Sequence, residues 1–144
     1  MRVSLCGDIG QLLTPEAFSV YSACMYKPSY EKYYERIRSL FEGEDNAVYL
    51  LEDGGIKGML VLGMGGDVPE IVGIAVDEGC RGRGLGRYMI EEVIAAEGIC
   101  VLFAQTDDDA VGFYRKCGFS VEKETVEYPD GTAERYNCWY QRAL

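Results

Sequence analysis

The residues best suited to chemistry sit in one loop. Arg81-Gly82-Arg83-Gly84-Leu85-Gly86 sets three glycines and two arginines into six positions, with Arg87 directly behind. Glycine has no Cβ to hold the backbone away from a ligand, and guanidinium groups supply fixed positive charge that matches oxyanions. Such a loop suits phosphate if a helix begins where it ends, because unpaired N–H groups of the first turn then point at the same place. The flanking residues meet that condition. Ile71 to Val76 is an unbroken apolar run, which predicts a strand buried on both faces. After the loop, Leu85, Met89 and Val93 recur at i, i+4, i+8 with Ile90 and Ile94 beside them, which predicts a helix. A Walker loop would finish in Gly-Lys-Ser/Thr, and Leu85-Gly86-Arg87 lacks both lysine and hydroxyl. A dinucleotide fingerprint would take Gly82 and Gly84 but meets Arg87 at its third glycine. The pattern Arg-x-x-Gly-x-Gly is satisfied by Arg81, Gly84 and Gly86.

A second group lies in Asp107-Asp108-Asp109-Ala110-Val111-Gly112-Phe113-Tyr114-Arg115-Lys116-Cys117-Gly118-Phe119. Its aspartates can cap a short helix, Gly118 can stop it, and Tyr114 sets a phenol on it. The chain has no histidine, so carboxylates are what remain as bases near neutral pH. Cys80 and Cys117 have no histidine to take a proton from them, which argues against a thiolate nucleophile. Six cysteines without a C-x-x-C pair argue against zinc. They read instead as reduced thiols of a cytoplasmic protein, with Cys100 and Cys117 in buried positions.

With 144 residues, 48% of them apolar, residues 1–144 form one domain with a core of its own. No apolar run approaches the roughly 20 residues of a membrane span, and the first residues lack a signal-peptide pattern. The net charge of −10 argues against nucleic acid as a partner. Yet five of the 14 bases fall between Arg81 and Lys116. An acidic body with one basic loop suits an anionic ligand at the loop and a cationic partner elsewhere, with Glu44, Asp45, Glu52, Asp53 and Glu70 as its rim.

The remaining elements follow from pattern. Met1 to Leu5 reads as a strand, and Thr14-Pro15-Glu16 as a capped helix start. A second helix from Ser29 carries Tyr30, Tyr33, Tyr34, Ile37, Leu40 and Phe41, whose tyrosines either pack or line a cavity. Ala47 to Glu52 and Ile56 to Leu62 form a hairpin around Asp53-Gly54-Gly55. The glycine-loop helix ends near Glu97-Gly98, and Ile99 to Ala104 is a second continuous apolar strand, parallel to the first because a helix connects them. Strands from Phe119 and over Ala133 to Tyr140 flank a turn at Pro129-Asp130-Gly131, with Trp139 expected in the core. The order β-α-α-β-β-β-α-β-α-β-β defines an α/β protein with a mixed sheet.

Ile74-Ala75-Val76, four residues and then Arg81 to Gly86 resemble the acetyl-CoA-binding motif of the GNAT superfamily of N-acetyltransferases. Asp107 to Phe119 is similar to its second signature, Asn-x-x-Ala-x-x-aromatic-Tyr-x-x-x-Gly-Phe, with Asp107 where asparagine is usual. The resemblance covers about residues 46 to 119. It implies a mostly antiparallel sheet with a splayed parallel central pair and helices on both faces. It also implies acetyl-CoA held by Ile74, Ala75, Val76, Arg81, Gly82, Arg83, Gly84, Leu85, Gly86, Asp107 and Tyr114, with Arg87 as a further contact. The activity implied is transfer of the acetyl group to a primary amine of a small molecule or peptide, by direct attack in a ternary complex. A backbone N–H of Ile74 to Val76 would polarise the thioester carbonyl, and Tyr114 would protonate the departing thiolate. Glu70-Ile71-Val72 resembles histone-type members in which the glutamate is the base; Glu52, Asp53 or no protein base are the alternatives. Asp107 can only accept hydrogen bonds, which keeps open a non-catalytic acyl-CoA sensor on the same fold. Expected partners are the amine acceptor, cationic by the charge argument, and a second copy of the chain.

Overall fold

Seven strands form one sheet, and helices cover both of its faces. The computed structural model describes residues 1–142. In chain order the elements are β1 (Arg2–Leu5), α1 (Pro15–Tyr21), α2 (Tyr30–Glu42), β2 (Asn46–Glu52), β3 (Ile56–Gly63), β4 (Glu70–Val76), α3 (Leu85–Glu97), β5 (Val101–Thr106), α4 (Val111–Lys116), β6 (Ser120–Tyr128) and β7 (Gly131–Gln141). The helix starts are fixed locally. Thr14 Oγ1 accepts from the Ala17 N–H at 3.1 Å, ahead of Pro15 in the first turn, and Ser29 Oγ accepts from the Lys32 N–H at 3.2 Å. Gly98 closes α3 in the left-handed region at φ 64°.

The sheet order is β1-β2-β3-β4-β5-β7-β6. All pairs are antiparallel except β4 with β5. That parallel pair holds a single register match, Glu70 with Phe103, next to a bond from the Phe103 N–H to the Pro69 carbonyl at 3.0 Å. Beyond Glu70 the two strands diverge. A bulge lies just past the point of divergence: Leu62 pairs with Ile71 and Val61 with Gly73, so Val72 is the extra residue on β4.

Alternation along β2 and β3 divides the core in two. Tyr49, Leu51, Leu60 and Leu62 face α3 and α4 together with Met89, Val93 and Tyr114. Val48, Leu50, Met59 and Val61 face α1 and α2 together with Tyr21, Tyr33 and Ile37. Three expectations change here. The run Ile71 to Val76 is not buried on both faces: Val72 is 39% exposed, because β5 has left its flank. Trp139 is 38% exposed and stacks on Phe103 with ring centroids 4.5 Å apart, on a face where α1 and α2 reach only β2 to β4. Cys100 is exposed and Cys117 half-buried; the β5 strand begins at Val101, so Ile99 and Cys100 lie in the connection that leads into it.

Candidate active site

Where β4 and β5 part, they leave a cleft of about 900 Å³ that passes between them. β4 lines it from Ile71 to Val76, and β5 with the residues after it lines it through Gln105, Thr106 and Asp107. One end opens on the glycine loop through Arg81, Gly82, Gly84, Leu85 and Gly86. The other meets Ala23 to Tyr26, the connection between α1 and α2. Strand groups that a neighbouring strand would pair are therefore free to meet a ligand lying in the gap.

The glycine loop is shaped for an anion. Gly82 and Gly84 hold φ of 80° and 71°, and a Cβ at either would meet no protein atom within 4 Å, so the space in front of them is open. The first bond closing α3 runs from the Tyr88 N–H to the Gly84 carbonyl at 3.0 Å, which leaves the N–H groups of Leu85, Gly86 and Arg87 without helical acceptors. Gly86 serves packing instead: its Cβ would stand 2.8 Å from the Phe113 ring, so glycine lets α3 and α4 meet. Arg81 folds back to donate from Nε to the Val76 carbonyl at 3.3 Å. This set suits a pyrophosphate, with positive N–H ends and open space where side chains would intrude. Arg83 is exposed and does not line the cleft. Arg87 lines a separate cavity and pairs with Glu91 at 3.0 Å.

Tyr114 forms part of the cleft wall, with its ring edge-on to Phe113 and Phe119 at 5.1 and 5.3 Å. Burial pushes its phenol far above the ordinary value, so it stays protonated through neutral pH. Asp107 is engaged by its own turn: Oδ1 accepts from the N–H groups of Asp109 and Ala110, both at 3.1 Å. An acceptor is what that turn needs, and aspartate provides it as well as asparagine does. Glu70 is exposed and stands outside the cleft lining, at the narrow end where β4 still pairs with β5. Alternation from Ile71, which packs toward α3, turns Glu70 toward the opposite face. Of the five carboxylates expected as the rim for a cationic acceptor none lines the cleft, whereas Asp107 and Asp109 do. Tyr30 and Tyr34 are exposed outside the cleft, and Tyr33 is buried with its hydroxyl donating to the Leu12 carbonyl at 2.6 Å.

Sequence pattern missed several groups. Tyr21 is fully buried, and its hydroxyl has no hydrogen-bond partner among the described residues. That hydroxyl presses on β4 beside the bulge, where a Cβ on Gly73 would lie 2.4 Å from it. Burial pushes the Tyr21 phenol up to about 12, opposed in part by the nearby Arg36 guanidinium. Cys24 and Arg135, unlike Tyr21, line the cleft. The helical spacing of Tyr21 and the strand alternation of Arg135 mark faces only, and do not say that one lies buried against β4 while the other borders the cleft.

This fold, with a splayed parallel pair and an anion-binding loop at its mouth, is that of an acyl-CoA-dependent transferase. The sequence matches the Acetyltransferase (GNAT) family over residues 8–119, and the chain belongs to that family. It is an acyltransferase with acetyl-CoA as donor. No curated relative matches the sequence. Among solved structures, the ribosomal-protein-S18-alanine N-acetyltransferase of Escherichia coli is similar at 18% identity and TM-score 0.69, over 99% of this chain and 94% of that one. An acetyltransferase of Elizabethkingia anophelis with acetyl-CoA bound aligns at 19% identity and TM-score 0.68, covering 98% and 97%. A spermidine N-acetyltransferase of Vibrio cholerae aligns at 13% identity and TM-score 0.70, covering 98% and 95%. At such identities the likeness is one of fold.

Proposed function

We propose that residues 1–144 act as a single catalytic unit that moves an acetyl group from acetyl-CoA to a primary amine, by direct attack in a ternary complex. The observation that carries this reading is the cleft itself, open to the anion loop at one end and to the α1–α2 connection at the other. Donor and acceptor can then meet inside it from opposite sides. Acetyl-CoA supplies the acyl group already activated as a thioester. The N–H groups around Gly82 to Gly86 and the Arg81 charge hold pyrophosphate, and the β5-facing edge of β4 from Ile74 to Val76, which no strand pairs, orients the chain between the strands. A β4 N–H also polarises the acyl carbonyl. Tyr114 holds its proton through neutral pH and offers its O–H to the sulfur as the thiolate departs. Amines hold their proton with a pKa of about 10, and Glu70 takes it through water, since its carboxylate lies outside the lining. Acceptors of the reading are small-molecule or peptide amines, and the net charge of −10 favours approach of an ammonium group. The six free thiols fit a reducing, cytoplasmic setting.

The test is release of free thiol from acetyl-CoA across amines, amino acids and peptides, with wild type beside Tyr114→Phe. Turnover should appear with wild type and drop by about 10²-fold in kcat for the variant, with CoA affinity retained. Unchanged kcat would remove the phenol from the chemistry. Tight CoA binding with no turnover for any acceptor would favour the acyl-CoA sensor.

A further inference from the structure

The cleft carries one guanidinium that the donor side does not use. Tyr136, Cys138 and Tyr140 of β7 pack into the core beside α3 and α4. Alternation therefore turns Arg135 to the opposite face, with Asn137 and Trp139. The contacts agree: Trp139 stacks on Phe103, and Gln105 Nε2 donates to Asn137 Oδ1 at 3.1 Å. Arg135 thus borders the cleft from the side opposite α3 and its glycine loop.

Among the described residues Arg135 is also left without a carboxylate. Its cross-strand neighbour is Glu124, the residue that would ordinarily neutralise it. Glu124 is taken instead by Asn137, whose Nδ2 donates to Glu124 Oε2 at 2.8 Å while its Oδ1 accepts from Gln105. Among the described residues Arg135 enters no ion pair, and its Nε is inaccessible to solvent with no hydrogen-bond partner. Protein covers that Nε, so the terminal Nη groups of this half-buried side chain are the donors left to meet a ligand in the cleft. Its planar fork best suits a planar oxyanion. Among the described residues Asp107 and Asp109 are the carboxylates lining the cleft, and Asp107 Oδ1 is already committed to its turn.

Resting on the acetyltransferase reading, we propose that the acceptor is an amine that also carries a carboxylate, a free amino acid in chemical class, and that Arg135 binds that carboxylate. Arg135 is then a specificity residue. The overall negative charge draws the ammonium end toward the protein, while the local cation orients the acid end, so a polyamine satisfies only half of the site.

The experiment offers methionine, phenylalanine, glutamate and lysine each as free acid, as carboxamide and as decarboxylated amine, with spermidine beside them. Binding to the CoA-loaded protein is measured by calorimetry, and kcat/KM by thiol release. At least one free acid should exceed its amide and its decarboxylated partner by tenfold or more in both. Arg135→Gln should erase that ratio by raising KM, Arg135→Lys should restore part of it, and CoA affinity should hold in both variants. Amides, decarboxylated amines or spermidine preferred by wild type would overturn the proposal, as would a ratio unchanged in Arg135→Gln. Loss of CoA affinity in Arg135→Gln would overturn it too, by moving the guanidinium to the donor side. Calorimetry separates the two readings: acid-selective binding without turnover for any amine sinks the transferase reading alone, and turnover without acid selectivity sinks this one alone.

Discussion

Gly84 and Gly98 stand at the two ends of α3 and offer a matched pair of perturbations. Both are left-handed, at φ 71°, ψ 20° and φ 64°, ψ 38°, and a Cβ on either meets nothing within 4 Å. Alanine at each should therefore cost about 1–2 kcal/mol from backbone strain alone, with no clash to add. In a chain of 144 residues that lowers Tm by roughly 3 to 8 °C in both variants. Ligand binding should separate them. The space in front of Gly84 belongs to the cleft, whereas Gly98 borders the separate cavity beside Arg142. In Gly84→Ala the new methyl stands where the backbone must approach pyrophosphate, and CoA affinity should fall at least tenfold, about 1.4 kcal/mol. Gly84→Val should lose more. In Gly98→Ala the affinity should stay at the wild-type value. Calorimetric titration with CoA, beside thermal unfolding of the free proteins, reads both quantities. Wild-type affinity in a folded Gly84→Ala, or an equal loss in Gly98→Ala, would refute the assignment of the cradle.

Two further outcomes concern stability. Tyr21→Phe removes a buried hydroxyl that has no partner among the described residues, a group that costs about 1–3 kcal/mol when unsatisfied. The variant should melt several degrees higher, and an equal or lower Tm would show that the hydroxyl is satisfied. Alkaline pH should unfold the protein cooperatively. Burial raises the Cys6 and Cys138 thiols and the Tyr21, Tyr33, Tyr49 and Tyr114 phenols, so at high pH the fold holds protons that the unfolded chain gives up. Their contribution is intact below the unfolded values, about 8.5 for thiols and 10 for phenols, and is lost as pH rises above them. Urea midpoints should decline from about pH 9 and steepen above 10, and a flat profile from pH 8 to 11 would contradict the burial of these groups.

Much of this architecture is written locally. Thr14-Pro15 and Ser29 start helices because a hydroxyl at the cap satisfies an N–H two or three residues on, which neighbours in sequence alone can arrange. The glycines at 82 and 84 take left-handed backbone that other residues avoid, so the anion loop is legible from residue type and spacing. Tyr114 and Gly118 fit the second signature by type and spacing, with Asp107 at its asparagine position, and the family match spans both stretches.

What the sequence left undecided depends on partners far along the chain. Six apolar residues from Ile71 to Val76 mark a strand, but β5, some thirty residues later, decides whether its flank is covered, and β5 pairs with it at Glu70 only. The cleft, the exposure of Val72 and the bulge beside it all come from that departure. Trp139 has a core residue's composition yet stands half open, because α1 and α2 extend only as far as β4 on that face. Arg135 is one of 14 bases in the sequence, and the diversion of Glu124 to Asn137 leaves it without a counter-charge among the described residues. Backbone preference and periodicity act over a few residues and so can be read from them. Which polar group goes unpaired is set by the sum of contacts across the sheet, and that sum exists only in the folded chain.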